Sequence, residues 1–300
     1  MTTIFSQKIN NLRASVSQRW EEALNKANPV SDAVMPIEQV SQRQHVFYFR
    51  GGLQGLREWK GEKKVNSGQV YSLRVSLNEY EDTIGVARAD IESDNLGVYG
   101  NEAARMGKSA ALWHDELFAG ALEDTLTLGF DGKLLFNANH PLDPGNAQSN
   151  VFTSTSLTEA NIKSTIDSMT AYTDDRGKPL GVKPTHIVVP SALYTDAMSI
   201  IKATLVLDST GAAAVSNTAS MFGLQVVVLP QLTSTSTWYL LDASNPAAGA
   251  VVMAERKAPQ FSELSEGSDH AFKNGEFLFS TEASGVAAPG LWFLGAKCTA

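Results

Sequence analysis

The residue that most resembles part of a catalytic site is His140, in the run Asn139-His140-Pro141 after an Asp131-Gly132 turn. A histidine acts as a general base when an acid orients it and a nucleophile lies within reach. Asp143 is the nearest acid along the chain, but no nucleophile stands in a recognisable motif. We therefore interpret His140 as a structural residue, because an imidazole can satisfy backbone groups in a loop. A soluble hydrolase that uses His140 and Asp143 stays an alternative.

Other chemistry-bearing residues form no complete motif. The acids of Asp90-x-Glu92-x-Asp94 superficially follow a calcium loop but lack its glycine and its distal glutamate, and Asp174-Asp175 stands alone. His186 lies in an apolar strand, and the single cysteine, Cys298, has nothing beside it in sequence that would activate a thiol. Phosphate-binding, dinucleotide-binding and zinc-protease motifs are all missing from the sequence. We predict no catalytic residue, no cofactor site and no metal site.

Composition narrows the class of protein further. The 300 residues carry a net charge of −8, with 43% hydrophobic and 19% charged residues. A protein that grips nucleic acid with its whole surface would be basic, so that class is excluded. One cysteine excludes a disulfide framework, and no apolar stretch reaches the length of a membrane span. The first residues lack the pattern of a signal peptide, so we expect a soluble protein of a reducing cytoplasm.

Periodicity predicts a mixture of helices and strands. Apolar residues at steps of three and four predict helices over 5–24, 101–127 and 157–172, the last with a Ser156-x-x-Glu159 capping box, and another after Pro190. Apolar or alternating runs predict strands over 70–77, 185–189, 224–229, 238–241, 251–254, 276–280 and 291–296. A charged loop is expected after residue 254, and the last two strands are expected to join through 285–290. The fold class is therefore α+β.

Charge is unevenly placed along the chain. Residues 50–77 hold six basic and two acidic side chains, a net charge of +4, while residues 79–94 hold one basic and six acidic ones, a net charge of −5. Such neighbouring charge runs suit a loop that reaches onto the acidic segment of another copy of the chain. The predicted intersubunit contacts are Arg57, Lys60, Lys63 and Lys64 on one side and Glu79, Glu81 and Asp82 on the other.

Two further features suggest contact with other copies. Trp20 lies on the apolar stripe of the first helix, which packs either on its own domain or on a neighbouring subunit. Residues 209–241 carry no charge over 33 positions. Because the surfaces of monomers normally carry interspersed charge, we expect much of this run to be buried between subunits.

Several blocks, in order over roughly residues 47–297, resemble the major head (capsid) subunit of Mu-like phages and prophages. They are Leu56-Arg57-Glu58-Trp59-Lys60-Gly61, Ile84-Gly85-Val86-Ala87-Arg88-Ala89-Asp90-Ile91-Glu92-Ser93-Asp94-Asn95-Leu96-Gly97-Val98-Tyr99, Met106-Gly107-Lys108-Ser109-Ala110-Ala111, Asp115-Glu116-Leu117, Phe130-Asp131-Gly132 with Phe136 and His140-Pro141, Gly181-Val182-Lys183-Pro184-Thr185-His186-Ile187-Val188-Val189-Pro190, and Glu276-Phe277-Leu278-Phe279 with Gly290-Leu291-Trp292. The chain departs from the family at residues 282–286, where the family tends to carry arginines.

The resemblance implies the Hong Kong 97 capsid fold. Its parts would be an N-terminal arm with an amphipathic helix (1–45), an extended loop (46–80), a peripheral domain (81–178) with a spine helix at 101–127, an axial domain (179–248) and a return to the peripheral sheet (249–300). The implied function is that of a major capsid protein, not an enzyme, which assembles into hexamers and pentamers of an icosahedral head.

The same resemblance implies partners and a location. The partners would be other copies of the chain, scaffold and portal proteins, decoration proteins, and packaged double-stranded DNA bound without sequence specificity, with no membrane involved. The protein would belong to the virion capsid and would be assembled in the cytoplasm of the bacterial host. An encapsulin-like compartment of the same fold stays open as the second interpretation.

Overall fold

The computed structural model describes residues 2–50, 70–93, 97–143, 146–174, 177–203, 205–207, 214–216, 219–264 and 268–300. The α-helices of these residues are α1 (Thr2–Lys26), α2 (Arg88–Glu92), α3 (Gly97–Ala111), α4 (Trp113–Glu123), α5 (Glu159–Thr170), α6 (Tyr194–Lys202) and α7 (Asp269–Asn274). Short 3₁₀ turns lie at Ser31–Ala33, Ser191–Leu193, Ala219–Phe222 and Trp292–Leu294. Within these ranges, no helix has the length and apolar character that a bilayer span requires.

The strands form two main sheets and three hairpins. They are β1 (Ile37–Gln39), β2 (Gln44–Arg50), β3 (Val70–Ser76), β4 (Asn78–Ala87), β5 (His140–Asp143), β6 (Asn146–Gln148), β7 (Val151–Thr153), β8 (His186–Val189), β9 (Leu205–Leu207), β10 (Ala214–Ser216), β11 (Gln225–Val228), β12 (Thr237–Leu241), β13 (Val251–Glu263), β14 (Glu276–Pro289) and β15 (Gly295–Thr299). The long sheet has the order β1-β13-β14-β4, and the second sheet has the order β11-β8-β12-β15-β7. The pairs β2-β3, β5-β6 and β9-β10 are separate two-stranded units.

The long sheet extends far beyond the two short strands predicted from its apolar residues. The charged loop expected after residue 254 is wrong, because β13 runs on to Glu263 beside β14. Charged side chains on an exposed sheet face do not interrupt the strand: Lys257 Nζ donates to Glu282 Oε2 at 2.5 Å across the pair. Residues 285–289, expected to be a connection, also belong to β14.

Different elements pack on the two faces of the long sheet. Inward-facing Val86, Phe277 and Phe279 pack against buried residues of α1 to α3. On the opposite face, Phe47 of β2 and Val75 of β3 pack against Val252, Ala254 and Ala288 of β13 and β14. The β2-β3 hairpin and the helices therefore lie on opposite faces of the sheet, because successive residues of a strand point to opposite sides.

Helix α1 confirms the predicted apolar stripe. Ile9, Leu12, Val16 and Trp20 are all buried, and the helix packs along α3. At Gly107 of α3 an added Cβ would lie 2.3 Å from the backbone oxygen of Trp20, so only glycine allows this close approach. The helix expected over 5–24 is therefore correct, and the described part of it packs within its own subunit.

The predicted spine helix over 101–127 is two helices rather than one. α3 ends at Ala111 and α4 begins at Trp113, with Leu112 outside helical geometry at ψ 3°. The hydrogen-bond ladder continues past this point, from Leu112 N to Lys108 O and from Glu116 N to Leu112 O. Helix α4 ends at Glu123 rather than at 127, because Asp124 is extended and its Oδ1 accepts hydrogen bonds from Leu126 N and Thr127 N.

The second sheet draws strands from three parts of the chain. β7, β8, β11 and β12 are joined by β15, which pairs antiparallel with β12 and parallel with β7. Assigning all of residues 249–300 to one peripheral sheet is therefore wrong for β15. The predicted strand over 291–296 is also wrong in its first half, since Trp292–Leu294 forms a 3₁₀ turn that carries the chain from one sheet to the other.

Helix α5 lies within the predicted range, but its cap differs. The N-cap is Thr158, whose Oγ1 accepts from Asn161 N at 3.3 Å, so the predicted Ser156-x-x-Glu159 capping box does not form. The carbonyl oxygen of Ser156 instead accepts a hydrogen bond from Asn161 Nδ2 at 2.8 Å.

Candidate intersubunit surfaces and the histidine sites

The three predicted acidic contacts lie on β4, an edge strand of the long sheet. Glu79, Glu81 and Asp82 are all exposed. Arg256 Nη2 donates to Glu79, and Thr83 Oγ1 donates to Glu81 Oε2 at 2.6 Å. Part of the negative charge at Glu79 is therefore already balanced inside the subunit.

The four predicted basic contacts, Arg57, Lys60, Lys63 and Lys64, lie outside the described residues. The structure describes the base of the predicted extended loop, where β2 and β3 pair from Gln44 opposite Ser76 to Arg50 opposite Val70.

Trp20 lies inside the subunit. It is 5% exposed, and its ring centroid lies 5.5 Å from that of Phe261. Of the two interpretations of the apolar stripe, packing on its own domain accounts for Trp20, and the ring leaves little surface for a neighbouring subunit.

Burial within the subunit also explains part of the uncharged run 209–241. All five residues of β12 are buried in the middle of the five-stranded sheet, and so are Leu224, Val227, Leu229 and Leu232. A subunit interface is therefore not needed to explain the missing charge at 224–241. The side chains of residues 209–219 are not among those described.

His140 is the centre of a closed polar cluster. It is 0% exposed, its Nδ1 lies 2.6 Å from Asp131 Oδ2, and its Nε2 lies 3.2 Å from Asn150 Oδ1. Its ring stacks on Trp292, with centroids 4.4 Å apart and planes 3° from parallel.

The hydrogen bonds of Asn150 fix the orientation of its amide. Asn150 Nδ2 lies 2.8, 3.0 and 3.1 Å from the carbonyl oxygens of Leu135, Trp292 and Gly295, so Oδ1 is the acceptor that faces His140. Both ring nitrogens of His140 thus face oxygen atoms of buried side chains.

This geometry contradicts the hydrolase alternative. The acid beside His140 is Asp131 rather than Asp143, and both ring nitrogens are occupied by protein partners, Asp131 and Asn150. With no exposed surface, the imidazole cannot reach one either. The structural interpretation of His140 is confirmed.

A second histidine cluster joins three segments that are distant in sequence. His114 of α4 lies 3.1 Å from Asp32 through Nδ1 and 3.1 Å from Glu255 of β13 through Nε2. Gln39 of β1 donates to the other oxygen of Glu255. Sequence analysis missed this cluster, because its partners are separated by 82 and 141 positions from the histidine.

Charge and burial set the protonation behaviour of this cluster. Burial alone would lower the pKa of His114, but the hydrogen bonds and charges of Glu255 and Asp32 outweigh it and raise that pKa above its usual 6.5. The hydrogen bond with His114 is the largest influence that lowers the pKa of Glu255, and burial opposes it. An imidazolium between two carboxylates accounts for both directions.

The remaining chemical candidates among the described residues have internal partners, and Asp94 and Asp175 lie outside the described residues. Burial raises the pKa of Cys298 to about 12, which makes the thiol a poor nucleophile. His186 is buried beside Thr185 Oγ1 at 2.8 Å, and burial lowers its pKa. Asp174 is buried and accepts from the backbone of Lys178, and Tyr99 donates to Asp90. No group of three acidic, histidine or cysteine side chains with metal-binding geometry occurs among the described residues.

The sequence matches a known family along most of its length. The profile described as "Mu-like prophage major head subunit gpT" covers residues 9–156, 145–232 and 226–299. The chain belongs to this family. The predicted resemblance is thereby confirmed, and the family is one of head subunits.

Two curated relatives carry matching names. The major capsid protein of Escherichia phage Mu is 29% identical over 137 residues, 45% of each chain. The Mu-like prophage FluMu major head subunit of Haemophilus influenzae is 26% identical over 169 residues, 54% of this chain and 55% of the relative. The chain thus spans about half the length of the curated relatives it matches.

The fold is that of phage capsid proteins. A subunit of the procapsid of bacteriophage JBD30 aligns with a TM-score of 0.56 at 22% identity, over 97% of this chain and 75% of that one. The predicted α+β Hong Kong 97 type fold is confirmed.

Proposed function

We propose that this protein is the major capsid protein of a Mu-like tailed phage or prophage, and that it assembles into hexamers and pentamers of an icosahedral head enclosing double-stranded DNA. The observation that carries the proposal is the family match from residue 9 to residue 299, together with a capsid fold aligned over nearly the whole chain. A structural role also suits the closed state of His140 and the unreactive Cys298.

The proposed partners follow from this role. Other copies of the chain form the shell, while scaffold, portal and decoration proteins act during and after assembly. The DNA would be enclosed without sequence specificity. A chain with a net charge of −8 does not grip nucleic acid over its whole surface. We infer that assembly takes place in the cytoplasm of the bacterial host and that the assembled protein belongs to the virion capsid. We also infer that the protein is not an enzyme.

We further propose that residues 46–80 form an extended loop whose basic side chains contact the acidic β4 region of a neighbouring subunit. The charges of residues 50–77 and 79–94 are opposite. A head-to-tail contact of this kind closes into rings when the rotation between subunits allows it. Each exposed pair contributes only about 0.2–1 kcal/mol, so several pairs must act together.

An encapsulin-like compartment is the second candidate function, because the same fold can also build shells that hold enzyme cargo. Membership of the head-subunit family favours the phage capsid. Neighbouring genes for portal, scaffold and terminase support the capsid, whereas a neighbouring cargo-enzyme gene supports the compartment.

Sedimentation velocity of the purified chain tests self-assembly. We expect species much larger than one chain, as pentamers, hexamers, tubes or shells. A single-chain species at all concentrations, with or without co-expressed scaffold, contradicts the proposal.

Charge reversal tests the loop contact separately. Replacing Lys60, Lys63 and Lys64 with Glu should slow or block assembly while circular dichroism shows a folded subunit. Reversing Glu79, Glu81 and Asp82 to Lys in the same chain should recover part of the loss. Normal assembly of the triple variant at low ionic strength contradicts the charge contact without contradicting the capsid role.

A further inference from the structure

The connector, residues 27–43, joins helix α1 to the β2-β3 hairpin and contacts two other parts of the subunit. Ser31 N of the connector donates to Asp115 Oδ1 of α4 at 2.8 Å. Met253 N of β13 donates to Pro36 O at 2.9 Å, and β1 pairs in parallel with β13. These contacts fix the path of the chain between the first helix and the hairpin.

His114 is the point at which side chains of the connector, α4 and β13 meet. Its Nδ1 lies 3.1 Å from Asp32 Oδ1 of the connector, and its Nε2 lies 3.1 Å from Glu255 Oε1 of β13. Gln39, also of the connector, donates to the second oxygen of Glu255. One imidazole therefore links the connector to the spine helix α4 and to the long sheet.

The geometry at His114 suits only a charged imidazole. An imidazolium carries a hydrogen on each nitrogen and donates to both carboxylates, whereas a neutral imidazole carries one hydrogen. In the neutral form, whichever tautomer is present, one nitrogen lone pair would face an ionised carboxylate oxygen at 3.1 Å. Loss of one proton thus replaces an attractive contact with a repulsive one.

Burial decides on which side of the cluster the contact opens. Glu255 is 4% exposed, whereas 49% of the Asp32 side chain is exposed. A buried carboxylate keeps its partner more strongly than an exposed one, because water cannot replace that partner. A neutral His114 therefore keeps its hydrogen for Glu255, and the exposed Asp32 of the connector is released to water.

The other charged groups around the cluster do not substitute for the imidazolium. Asp115, next to His114 on α4, is itself acidic and buried. Arg256, next to Glu255 on β13, pairs with Glu79 instead. Among the described residues, neither Asp32 nor Glu255 forms an ion pair with a lysine or an arginine.

We propose that His114 is a proton-controlled latch, which holds the connector on α4 and β13 while the imidazole is charged and releases it when the imidazole is neutral. The latch belongs to the single chain and does not depend on the proposed capsid function. Burial lowers the pKa of His114, but Glu255 and Asp32 together raise it above its usual 6.5. The latch is therefore closed below that value and opens as pH rises through the higher pKa of the folded chain.

Hydrogen exchange followed by mass spectrometry on the full chain tests the latch at pH 6 and pH 8.5. Observed rates divided by the intrinsic rates at each pH give protection factors. We expect the protection of peptides within residues 27–43 to fall about tenfold or more at the higher pH, because a charge-assisted hydrogen bond is lost. Peptides of β8 and β12, which are fully buried in the five-stranded sheet, should change less than about twofold.

Two variants remove the two sides of the latch. His114→Gln has a polar side chain that carries no charge at either pH, so the connector should have low protection at both values. Asp32→Asn removes the exposed carboxylate and should reduce the pH response to less than about threefold. His270→Gln and Asp167→Asn make the same changes away from the connector and should keep the response of the unaltered chain.

Equal protection of the connector at both pH values in the unaltered chain would overturn the latch. An unchanged pH response in His114→Gln or in Asp32→Asn would overturn it as well. A fall in protection that extends equally to β8 and β12 would show that the whole chain is destabilised rather than the connector released, and it would also contradict the proposal.

Discussion

His140 and His114 each contact two acceptor oxygens, but they do so in opposite settings. His140 lies in a closed cluster whose hydrogen-bonding side chains, Asp131 and Asn150, are 9 and 10 positions away. His114 joins the segment after α1 to α4 and β13, and it keeps part of its surface exposed. The same side chain thus serves as a fixed core element in one region and as a titratable tie between distant segments in the other.

The largest effect is expected at the closed cluster. His140→Ala removes the partner of a buried carboxylate and the ring stacked on Trp292, so we expect a loss of about 3–5 kcal/mol in the free energy of unfolding. Urea denaturation measures it. His270→Ala, which removes a partly exposed contact with Glu276, is the control and should cost under about 1 kcal/mol. Equal losses in the two variants would show that the His140 cluster is not the core element described above.

A smaller loss is expected at the tie between segments. Glu255→Ala leaves His114 and Gln39 without their buried acceptor and should cost about 1–3 kcal/mol. Glu282→Ala, which removes an exposed pair with Lys257 on the neighbouring strand, should cost about 0.2–1 kcal/mol. If Glu255→Ala costs no more than the control, the tie does not stabilise the chain.

The pH dependence of the free energy of unfolding tests the charges of the His114 cluster. Because the pKa of folded His114 is raised, its stabilising effect is complete below the unfolded pKa near 6.5 and is lost as pH rises through the higher folded value. The lowered pKa of Glu255 acts in the other direction, and its contribution is lost as pH falls below about 4.5. His114→Gln should therefore destabilise the chain more at pH 6 than at pH 8.5. Urea midpoints of both proteins at the two pH values check this, and an equal or reversed difference contradicts the assigned charge.

The smallest effect is expected on the exposed sheet face. Glu79→Gln breaks the pair with Arg256, and since both side chains are partly exposed we expect a change of about 0.5 kcal/mol or less. The loss should shrink further in 1 M salt, where charge interactions are screened. A loss as large as that of Glu255→Ala would remove the distinction between buried and exposed charge contacts.

Sequence reasoning found what depends on local pattern. The apolar stripe of α1, the alternation of β3 and the apolar core of β8 each follow from spacing within one segment, and each forms as predicted. The family resemblance supplied the fold, because ordered blocks over roughly residues 47–297 carry information that no single segment has.

What sequence reasoning missed depends on contacts between distant segments. Strand β13 continues through charged residues because β14 lies beside it, and β15 leaves the long sheet because β12 and β7 bind it. The His114 tie likewise brings together residues that only the folded chain makes neighbours. Of the predicted contact residues, the fold places three, Glu79, Glu81 and Asp82, on the β4 edge.

The central claim is that many copies of this one chain build a closed shell. Electron cryomicroscopy of the chain expressed with its scaffold tests it most directly. We expect closed particles with pentamers and hexamers, in which residues 46–80 of one subunit lie against the β4 edge of the next. Dispersed monomers would contradict the shell, whereas shells in which that edge contacts no neighbouring subunit would contradict only the loop contact.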